Sequence, residues 1–330
     1  MTILVTGGAG YVGSHTVKKL KEKGYSLVVY DNLSSGHREA LEGVPFVEGD
    51  LLDGKLLSHT FCSFRVTDVI HFAGLSIVGE SMLQPDKYYL NNVVGTLTLL
   101  NTMLAHKARR IIFSSSAAVY GEAEGVPILE ECPRNPANIY GQTKAIVEKI
   151  LEDYGKAYGL GYVSLRYFNA CGADESGSIG EDHRPETHLI PLVLQTALKK
   201  REEICIFGED YATKDGTCIR DYIHVNDLAD AHLLAMEHLR SDRVSDVFNL
   251  GNGNGFSVRE VINTAAEVTG TVISSETAPR RIGDPEVLVA GSAKARDILG
   301  WRPKYTELRK MIETAWQWHV KYPQGFGGRN

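Results

Sequence analysis

The sequence has 330 residues, of which 43% are hydrophobic and 23% are charged, and its formal net charge is −6. This composition is ordinary for a globular protein, and the length allows one large α/β unit or two domains. The negative charge argues against a basic nucleic-acid-binding face, and no run reaches the roughly 18 apolar residues that span a bilayer. We therefore expect neither nucleic acid nor a membrane among its partners.

Five cysteines are scattered along the chain, with an odd count and no C-x-x-C pair. This pattern predicts reduced thiols rather than a disulfide framework or a zinc site, and we predict no metal site. The first residues, MTILVTGG, enter an apolar strand pattern without a charged leader or a cleavage site, so no signal peptide is expected. A cytoplasmic location follows from both observations.

Short apolar runs alternate with amphipathic stretches through the first half of the chain. The apolar runs predict strands at 2–6, 26–30, 45–49, 68–72, 110–115 and 162–168. The stretches between them predict helices at 12–23, about 53–63, about 87–106 and 139–158. Such alternation is typical of the Rossmann-type α/β fold, in which helices cover both faces of a doubly wound parallel sheet.

The pattern changes after about residue 170, where residues 171–188 are polar and rich in glycine and are expected to form a loop or lid. We predict a Rossmann domain at 1–170, which later segments at about 221–268 rejoin. Residues 171–330 are expected to form mainly a smaller C-terminal substrate-binding lobe, so the boundary between the two domains is discontinuous.

The strongest local motif is TILVTGGAGYVGSHTVKKLKEKGYSLVVYD, residues 2–31. Gly8, Gly10 and Gly13 fit G-x-G-x-x-G between a strand and a helix. Glycines there allow a tight turn and let the backbone approach a pyrophosphate, whose charge the helix N-terminus receives. The motif lies within a complete βαβ unit of the expected length, so it predicts a dinucleotide-binding site.

Two aspartates extend this prediction. Asp31 ends the second predicted strand, where a carboxylate binds both adenine-ribose hydroxyls and repels a 2′-phosphate, which favours NAD over NADP. Alternatively, Asp31 only caps the turn-like DNLSSG segment. Asp50 follows the third strand, where it either contacts the adenine or caps a helix.

Hydroxyl groups collect at the end of another predicted strand, in RRIIFSSSAAVYG, residues 109–121. Ligands of open α/β sheets bind beyond the carboxyl ends of the strands, which places Ser114, Ser115 and Ser116 near the dinucleotide. Each serine is equally suited to binding backbone groups at the strand end.

A tyrosine and a lysine follow in NIYGQTKAIV, residues 138–147. Tyr140 and Lys144 are four residues apart and share one face of the predicted helix. A free tyrosine has a pKa near 10, and a neighbouring ammonium lowers it towards the range of a useful base. Taken alone, the pair is an ordinary surface feature.

Together, the glycine loop, the strand-end serine and the Tyr-x-x-x-Lys pair resemble the short-chain dehydrogenase/reductase superfamily. Further motifs occur in the order and spacing of one extended branch, the UDP-glucose 4-epimerase family: HFAGLSIVGES, YYLNNVVGT, SSSAAVYG, YGQTK, RYFNACGAD, GTCIRDYIHVNDLADAH and RRIGDPEVLVA. The resemblance extends from Thr2 to about Pro303. It implies reversible epimerisation at C4 of a UDP-hexose, UDP-glucose or UDP-galactose, through a 4-keto sugar, with tightly bound NAD recycled in each turnover. It also implies a homodimer.

The resemblance assigns roles to positions that match the motifs of the family. Tyr140 is expected to be the base, with Lys144 as its partner and Ser116 as the catalytic serine. The expected cofactor contacts are Gly7, Gly10, Tyr11, Val12, Gly13, Asp31, Asn32, Asp50, Leu51, Phe72, Ala73, Gly74, Ser76, Asn91, Ser114, Tyr140, Lys144 and Phe168. The expected substrate contacts are Ser116, Tyr140, Asn169, His188, Leu189, Cys205, Phe207, Arg220, Arg281 and Asp284.

The chain departs from the family pattern at two positions. Ser76 stands where a lysine is usual, which removes one positive charge near the cofactor. His188 stands where some relatives have asparagine; it is expected to contact the sugar diphosphate, and together with His183 it is not expected to bind metal because both lie in a predicted loop. Arg220 and Arg281 suit a diphosphate, although a lone arginine more often forms a surface salt bridge.

Alternative functions remain open in the sequence. A UDP-N-acetylhexosamine 4-epimerase, or another NAD-dependent nucleotide-sugar enzyme of this fold, is the alternative, because Leu288 is neither small nor aromatic. A dehydratase is disfavoured, since Ala117 and Ala118 occupy positions where those enzymes carry an acid. A non-catalytic dinucleotide sensor is disfavoured because Tyr140 and Lys144 are both present.

Overall fold

The computed structural model describes residues 1–123, 125–241, 244–281 and 285–328. The helices are α1 (Tyr11–Glu22), α2 (Gly54–Phe64), α3 (Val78–Leu83), α4 (Pro85–Tyr88), α5 (Gly95–Ala105), α6 (Ile139–Tyr158), α7 (Leu189–Ala197), α8 (Val225–Ser241), α9 (Val258–Thr269), α10 (Ala293–Leu299) and α11 (Leu308–Lys321). The strands are β1 (Thr2–Thr6), β2 (Ser26–Asp31), β3 (Phe46–Glu48), β4 (Val66–His71), β5 (Arg110–Ser116), β6 (Gly161–Tyr167), β7 (Asn169–Cys171), β8 (Ile204–Phe207), β9 (Ile219–Arg220), β10 (Tyr222–His224), β11 (Asp246–Leu250), β12 (Phe256–Ser257), β13 (Ser275–Ala278) and β14 (Val287–Leu288). Within these described ranges, no helix has both the length and the apolar character needed to cross a membrane.

Seven strands form one sheet in the order β11–β6–β5–β4–β1–β2–β3, and every pair in it is parallel. The chain builds outward from β1 to β3 and then returns to β4 on the other side of β1. This reversal opens a crevice at the carboxyl ends of β1 and β4. The predicted Rossmann-type doubly wound sheet is confirmed.

Alternating side chains of the strands bury two hydrophobic cores, one on each face of the sheet. Ile3 of β1 packs with Leu20 of α1 and with the buried face of α8 on one side. Leu4, the next residue, packs on the other side with Phe61 of α2 and Leu151 of α6. Both faces are thus covered, as the continuous apolar strands require.

Helices α7, α9 and α11 pack around a separate core. Val193 of α7, Val261 of α9 and Ile312 of α11 are buried together with Ile206 of β8. The later segments divide between the two parts of the fold, because β11 extends the large sheet and α8 packs against α1, whereas α9 packs with α7 and α11. The domain boundary near residue 170 stays a prediction.

Helix α6, which carries the Tyr–Lys pair, has well-defined ends. The Asn138 side chain accepts a hydrogen bond from the Gly141 backbone N–H at 2.8 Å, which caps the first turn. Gly159 ends the helix in the left-handed conformation, at a φ of 67°. The helix therefore has the bounds that the sequence predicted, and Tyr140 lies in its first turn.

The predicted helix at about 87–106 is interrupted. After α4, residues 89–94 form a π-helical turn that leads into α5. The wider turn places Asn91 in the wall of the crevice while the next residue, Asn92, is buried. Periodicity at 3.6 residues per turn does not reveal such an insertion.

The buried carboxylate of Asp221 joins three chain segments. It accepts hydrogen bonds from the backbone N–H groups of Asn252 at 2.7 Å, Gly253 at 3.0 Å and Ala290 at 3.0 Å. Burial raises the pKa of this carboxyl, and the three donors oppose that rise. Because Arg220 precedes it, this network also fixes the strand that carries the arginine into the crevice.

We expect Asp221→Asn to lower the free energy of unfolding by about 3 kcal/mol, because the new amide group points a donor at the Gly253 and Ala290 N–H groups. Chemical denaturation checks this value. Asp297→Asn, the same substitution at an exposed position of α10, is the control and is expected to change stability by less than about 0.5 kcal/mol. Equal effects of the two substitutions would contradict the role given to Asp221.

Candidate active site

A cavity of about 950 Å³ extends along the carboxyl edge of the sheet and continues between β9, β14 and the loop before α7. It is lined by these predicted cofactor contacts: Gly7, Gly10, Tyr11, Val12, Gly13, Asp31, Asn32, Asp50, Leu51, Phe72, Ala73, Gly74, Ser76, Asn91, Ser114, Tyr140, Lys144 and Phe168. It is also lined by the predicted substrate contacts Ser116, Asn169, His188, Arg220 and Arg281. The predicted cofactor contacts and these predicted substrate contacts therefore line one continuous cavity.

Among the described residues, three predicted substrate contacts are not part of this wall. Leu189 begins α7 and packs against the lobe core. Cys205 and Phe207 lie on β8 outside the cavity lining, although the Arg281 guanidinium lies 3.9 Å from the centre of the Phe207 ring. Asp284 lies outside the described residues.

The glycine loop between β1 and α1 is shaped by close backbone contacts. Gly7 has a φ of +70°, and a Cβ there would lie 2.3 Å from the Ala73 backbone nitrogen. A Cβ on Gly13 would lie 2.3 Å from the Gly7 carbonyl oxygen. Gly10 is in an extended conformation at the start of α1, and its Cβ would meet only that same oxygen, at 3.3 Å. The loop thus leaves an open cradle in front of the helix N-terminus, which fits a pyrophosphate.

Asp31 lies beside this cradle and is nearly buried. Its carboxylate accepts hydrogen bonds from the Ala9 N–H at 3.0 Å and the Leu33 N–H at 2.9 Å. Burial raises the pKa of Asp31, and the two backbone donors oppose the rise. Nearby, Asn32 donates to the Asp50 carboxylate at 2.8 Å, so both predicted adenosine-binding residues are held in place.

The Tyr–Lys pair lies over the end of β5. The Lys144 ammonium donates to the Ser114 carbonyl at 2.7 Å and lies 5.8 Å from the centre of the Tyr140 ring. Burial lowers the pKa of Lys144 to about 8, and Glu148 opposes the shift. Burial raises the pKa of Tyr140, whereas the adjacent Ser116 hydroxyl opposes the rise. The lysine, the tyrosine and the serine therefore lie together at the end of β5.

The three serines at the end of β5 have different roles because side chains alternate along a strand. Ser114 and Ser116 face the cavity. Ser115 points to the other side of the sheet, where its hydroxyl donates to Glu148 at 2.6 Å. Glu148 also pairs with the buried Arg166 guanidinium at 2.5 Å, so Ser115 belongs to a structural network.

Asn92 supports the site from behind and was not singled out in the sequence. Its side-chain oxygen accepts from the Leu75 N–H at 2.8 Å, and its amide group donates to the Leu75 carbonyl at 3.0 Å. The same amide donates to Thr143, whose hydroxyl in turn donates to the Tyr140 carbonyl at 2.7 Å. An Asn-Asn pair in the sequence gives no sign of which asparagine faces the cavity.

The loop at 181–188 brings four charged side chains to the cavity wall. Burial disfavours the charged imidazoles of His183 and His188, but Glu181 and Glu186 outweigh it and raise their pKa values to about 9 and about 10. Conversely, the two imidazoles hold the pKa of the Glu186 carboxyl well below its usual range despite burial. The alternation of acidic residues and histidines in EDHRPETH is the sequence feature that could have predicted this cluster. Because the segment was assigned to a loop, the sequence did not predict that the four side chains meet.

The parallel sheet, glycine loop and polar cavity define a dinucleotide-binding α/β enzyme. The chain belongs to the NAD dependent epimerase/dehydratase family, which it matches over residues 3–251. It is 58% identical to UDP-glucose 4-epimerase of Halalkalibacterium halodurans, over 100% of this chain and 99% of the relative.

Solved structures agree with this assignment. UDP-glucose 4-epimerase from Brucella ovis in complex with NAD is 49% identical, with a TM-score of 0.94 over 96% of this chain and 97% of the other. The enzyme from Bifidobacterium longum in complex with NAD+ and UDP is 40% identical, with a TM-score of 0.94 over 99% and 100%. The resemblance predicted from the sequence is confirmed.

Two glycine substitutions distinguish packing from ligand binding in the loop. Gly13→Ala is expected to destabilise the nucleotide-free protein, because its Cβ would collide with the Gly7 carbonyl. Gly10→Ala is expected to change the free energy of unfolding by no more than about 1 kcal/mol. It should still reduce the amount of bound NAD, because its methyl group enters the cradle. Denaturation curves and the nucleotide content of the purified variants check both expectations; a stable Gly13→Ala variant would contradict the packing.

The buried ammonium of Lys144 predicts a pH effect on stability. Its pKa of about 8 is below the ordinary value of about 10.4, so above pH 7 the unfolded chain binds more protons than the folded one. Relative to Lys144→Met, the nucleotide-free wild type should gain about 1.4 kcal/mol of stability between pH 7 and pH 9. Paired denaturation curves measure this difference, and Lys149→Met, on the exposed face of α6, is the control. A constant difference across this range would contradict the burial of the charge.

Proposed function

We propose that this chain interconverts UDP-glucose and UDP-galactose by removing and restoring hydrogen at C4 of the hexose. The observation that carries the proposal is the convergence of Tyr140, Lys144 and Ser116 on the cavity that also contains the glycine loop. Full-length relatives at 48–58% identity are UDP-glucose 4-epimerases. The predicted class of enzyme, an NAD-dependent isomerase, is confirmed by this family membership.

Tyr140 is proposed to take the proton of the sugar 4-hydroxyl. In the nucleotide-free protein burial raises its pKa, so the phenolate needs positive charge close by. Lys144 supplies an ammonium one helical turn away, and its hydrogen bond to the Ser114 carbonyl fixes its position. Ser116, which accepts from the Ala118 N–H at 3.1 Å, is held where its hydroxyl can relay the proton.

NAD is the confirmed cofactor of the family, and bound NAD+ supplies the hydride acceptor and donor for C4. The residues here fit it, because the open cradle at Gly10 receives a pyrophosphate and the nearly buried Asp31 carboxylate suits ribose hydroxyls. We propose that Lys144 also holds the nicotinamide ribose. Ser76 lies exposed on the cavity wall in the position where a lysine is usual, so one cation fewer holds the cofactor.

The substrate is proposed to be anchored through its nucleotide. Arg220 and Arg281 lie in the cavity wall, where a guanidinium matches diphosphate oxygens. Asn169 and His188 also line the cavity, and His188 carries a positive charge at neutral pH. An anchored diphosphate leaves the hexose free to turn, which presents either face of C4 to the same reacting groups.

Epimerisation is favoured over dehydration by the residues beside Ser116. Ala117 and Ala118 line the cavity where an elimination across C5–C6 needs an acid and a base. Leu288, which lies opposite Arg220 in the pairing of β14 with β9, borders the sugar end. Because the relatives at 48–58% identity are UDP-glucose 4-epimerases, a UDP-hexose is favoured over an N-acetylated UDP-sugar as the substrate of this chain.

Two further features complete the proposal. We infer a homodimer that pairs through the helical segments near 87–106 and 139–158, supported by the exposed side chains of Leu90 and Val94 in the first of them. Light scattering at several concentrations tests this state. A cytoplasmic location, which reduced cysteines suit, is also proposed.

The direct test is purified protein incubated with UDP-galactose, and separately with UDP-N-acetylgalactosamine, without added NAD. We expect formation of UDP-glucose, because NAD stays bound through purification, and a slower reaction or none with the N-acetylated sugar. If neither C4 epimer forms in protein shown to contain NAD, the proposed function is wrong.

Tyr140→Phe is expected to lower kcat with UDP-galactose by about 10³-fold, the effect typical of losing a general base. Bound NAD should remain, since the ring and Lys144 are unchanged. Tyr158→Phe, at the exposed end of the same helix, is the control and should keep full activity. If Tyr140→Phe retains activity, the base must be another residue.

A further inference from the structure

Four side chains of the loop before α7 converge on one point. Glu181, His183, Glu186 and His188 each offer one donor atom, and all four atoms lie within 4.8 Å of one another. They come from a segment of only eight residues, and the last of them is the residue before α7. The reaction proposed above assigns no role to Glu181, His183 or Glu186.

The distances within this Glu2His2 cluster match those around a small metal ion. Glu181 Oε1 lies 2.7 Å from His188 Nδ1 and 3.1 Å from His183 Nδ1. Glu186 Oε1 lies 3.3 Å from His188 Nδ1, and its Oε2 lies 3.7 Å from His183 Nδ1. Ligands at zinc-to-donor distances of about 2.1 Å in a tetrahedron are about 3.4 Å apart, close to these four values.

An independent observation is that two of the candidate ligand atoms lack a hydrogen-bond partner. Glu181 is only 4% exposed, and both its Oε1 atom and His183 Nδ1 are buried without a hydrogen bond of acceptable geometry. The carboxylate–imidazole contacts have ion-pair distances, yet these two atoms form no hydrogen bond. The imidazoles balance the charge of the Glu181 carboxylate, but Oε1 and Nδ1 still lack a hydrogen bond, and a cation bound between these atoms would satisfy both.

We propose that the Glu2His2 cluster is a binding site for a divalent transition metal of the zinc type. Two imidazole nitrogens with two carboxylate oxygens suit Zn²⁺, whereas Mg²⁺ and Ca²⁺ prefer oxygen donors alone. The sequence predicted no metal site, since the two histidines were expected in an open loop without a fixed cluster.

The metal would act as a clamp on the cavity wall. It would join residue 181 to residue 188 and so fix the loop that borders the cavity ahead of α7. The His183 ring lies 6.1 Å from the ring of Tyr11, the first residue of α1, so the clamp also orders the side of the cavity next to the glycine loop. When His188 binds the metal through Nδ1, the metal replaces the imidazolium proton as the source of positive charge, and the Nε2–H group remains to donate to the proposed substrate.

The test is metal binding by the full-length protein without a histidine tag, stripped with EDTA and dialysed at pH 8. Isothermal titration with Zn²⁺ is expected to show one ion per chain with a dissociation constant of about 1 μM or lower. Titration with Co²⁺ is expected to give the intense visible bands of a tetrahedral complex. These readouts do not depend on catalytic activity, so they stand apart from the proposed function.

Glu181→Gln and His183→Gln should each weaken Zn²⁺ binding by at least the roughly 10–100-fold that loss of even an outer-shell partner costs. His59→Gln, the same substitution at an exposed position of α2, is the matched control and should bind as the wild type does. Circular dichroism checks folding, and Glu186→Gln replaces any variant that fails to fold. The proposal is overturned if the wild type binds no stoichiometric Zn²⁺, or if the cluster variants bind it as tightly as the control.

Discussion

The candidate active site depends on the buried ammonium group of Lys144. Lys144 is 5% exposed, and its charge is balanced by the Ser114 carbonyl and by the faces of the Phe113 and Tyr140 rings. Burying a cation costs free energy, so the groups that offset this cost must be held in fixed positions around it. Rigidity comes from β5, a central strand, and from the Asn138 cap that sets where α6 begins. The lysine therefore links the core of the sheet to the electrostatics of the tyrosine.

The need for fixed positions also explains why many polar side chains surround the cavity without facing it. Asn92 and Thr143 hold the first turn of α6, and Ser115 holds its middle through Glu148. Asp221 holds the strand that carries Arg220. Each of these groups is satisfied by backbone or side-chain partners away from the cavity. Because these surrounding groups hold the helix and the strands in place, the side chains that face the cavity remain available to a ligand.

The sequence predicted the parts that depend on local pattern. Apolar periodicity located the strands of the large sheet, and Asn138 with Gly159 marks the bounds of α6 through ordinary capping chemistry. The glycine loop was recognised because spacing and βαβ context agree. By contrast, the sequence did not separate Ser115 from Ser114 and Ser116, since the face that a side chain occupies depends on the exact end of the strand. Nor did it reveal the convergence of Glu181 and His188, which is set by the tertiary path of a loop without periodicity.

Arg220 and Asp221 are adjacent, yet one faces the cavity and the other lies fully buried against backbone donors. They occupy opposite sides of an extended chain, so a shift of register by a single residue would exchange them. The carboxylate would then face the cavity, and an uncompensated guanidinium would enter the core. An insertion or deletion of one residue in this segment would therefore place both side chains on the wrong side of the chain.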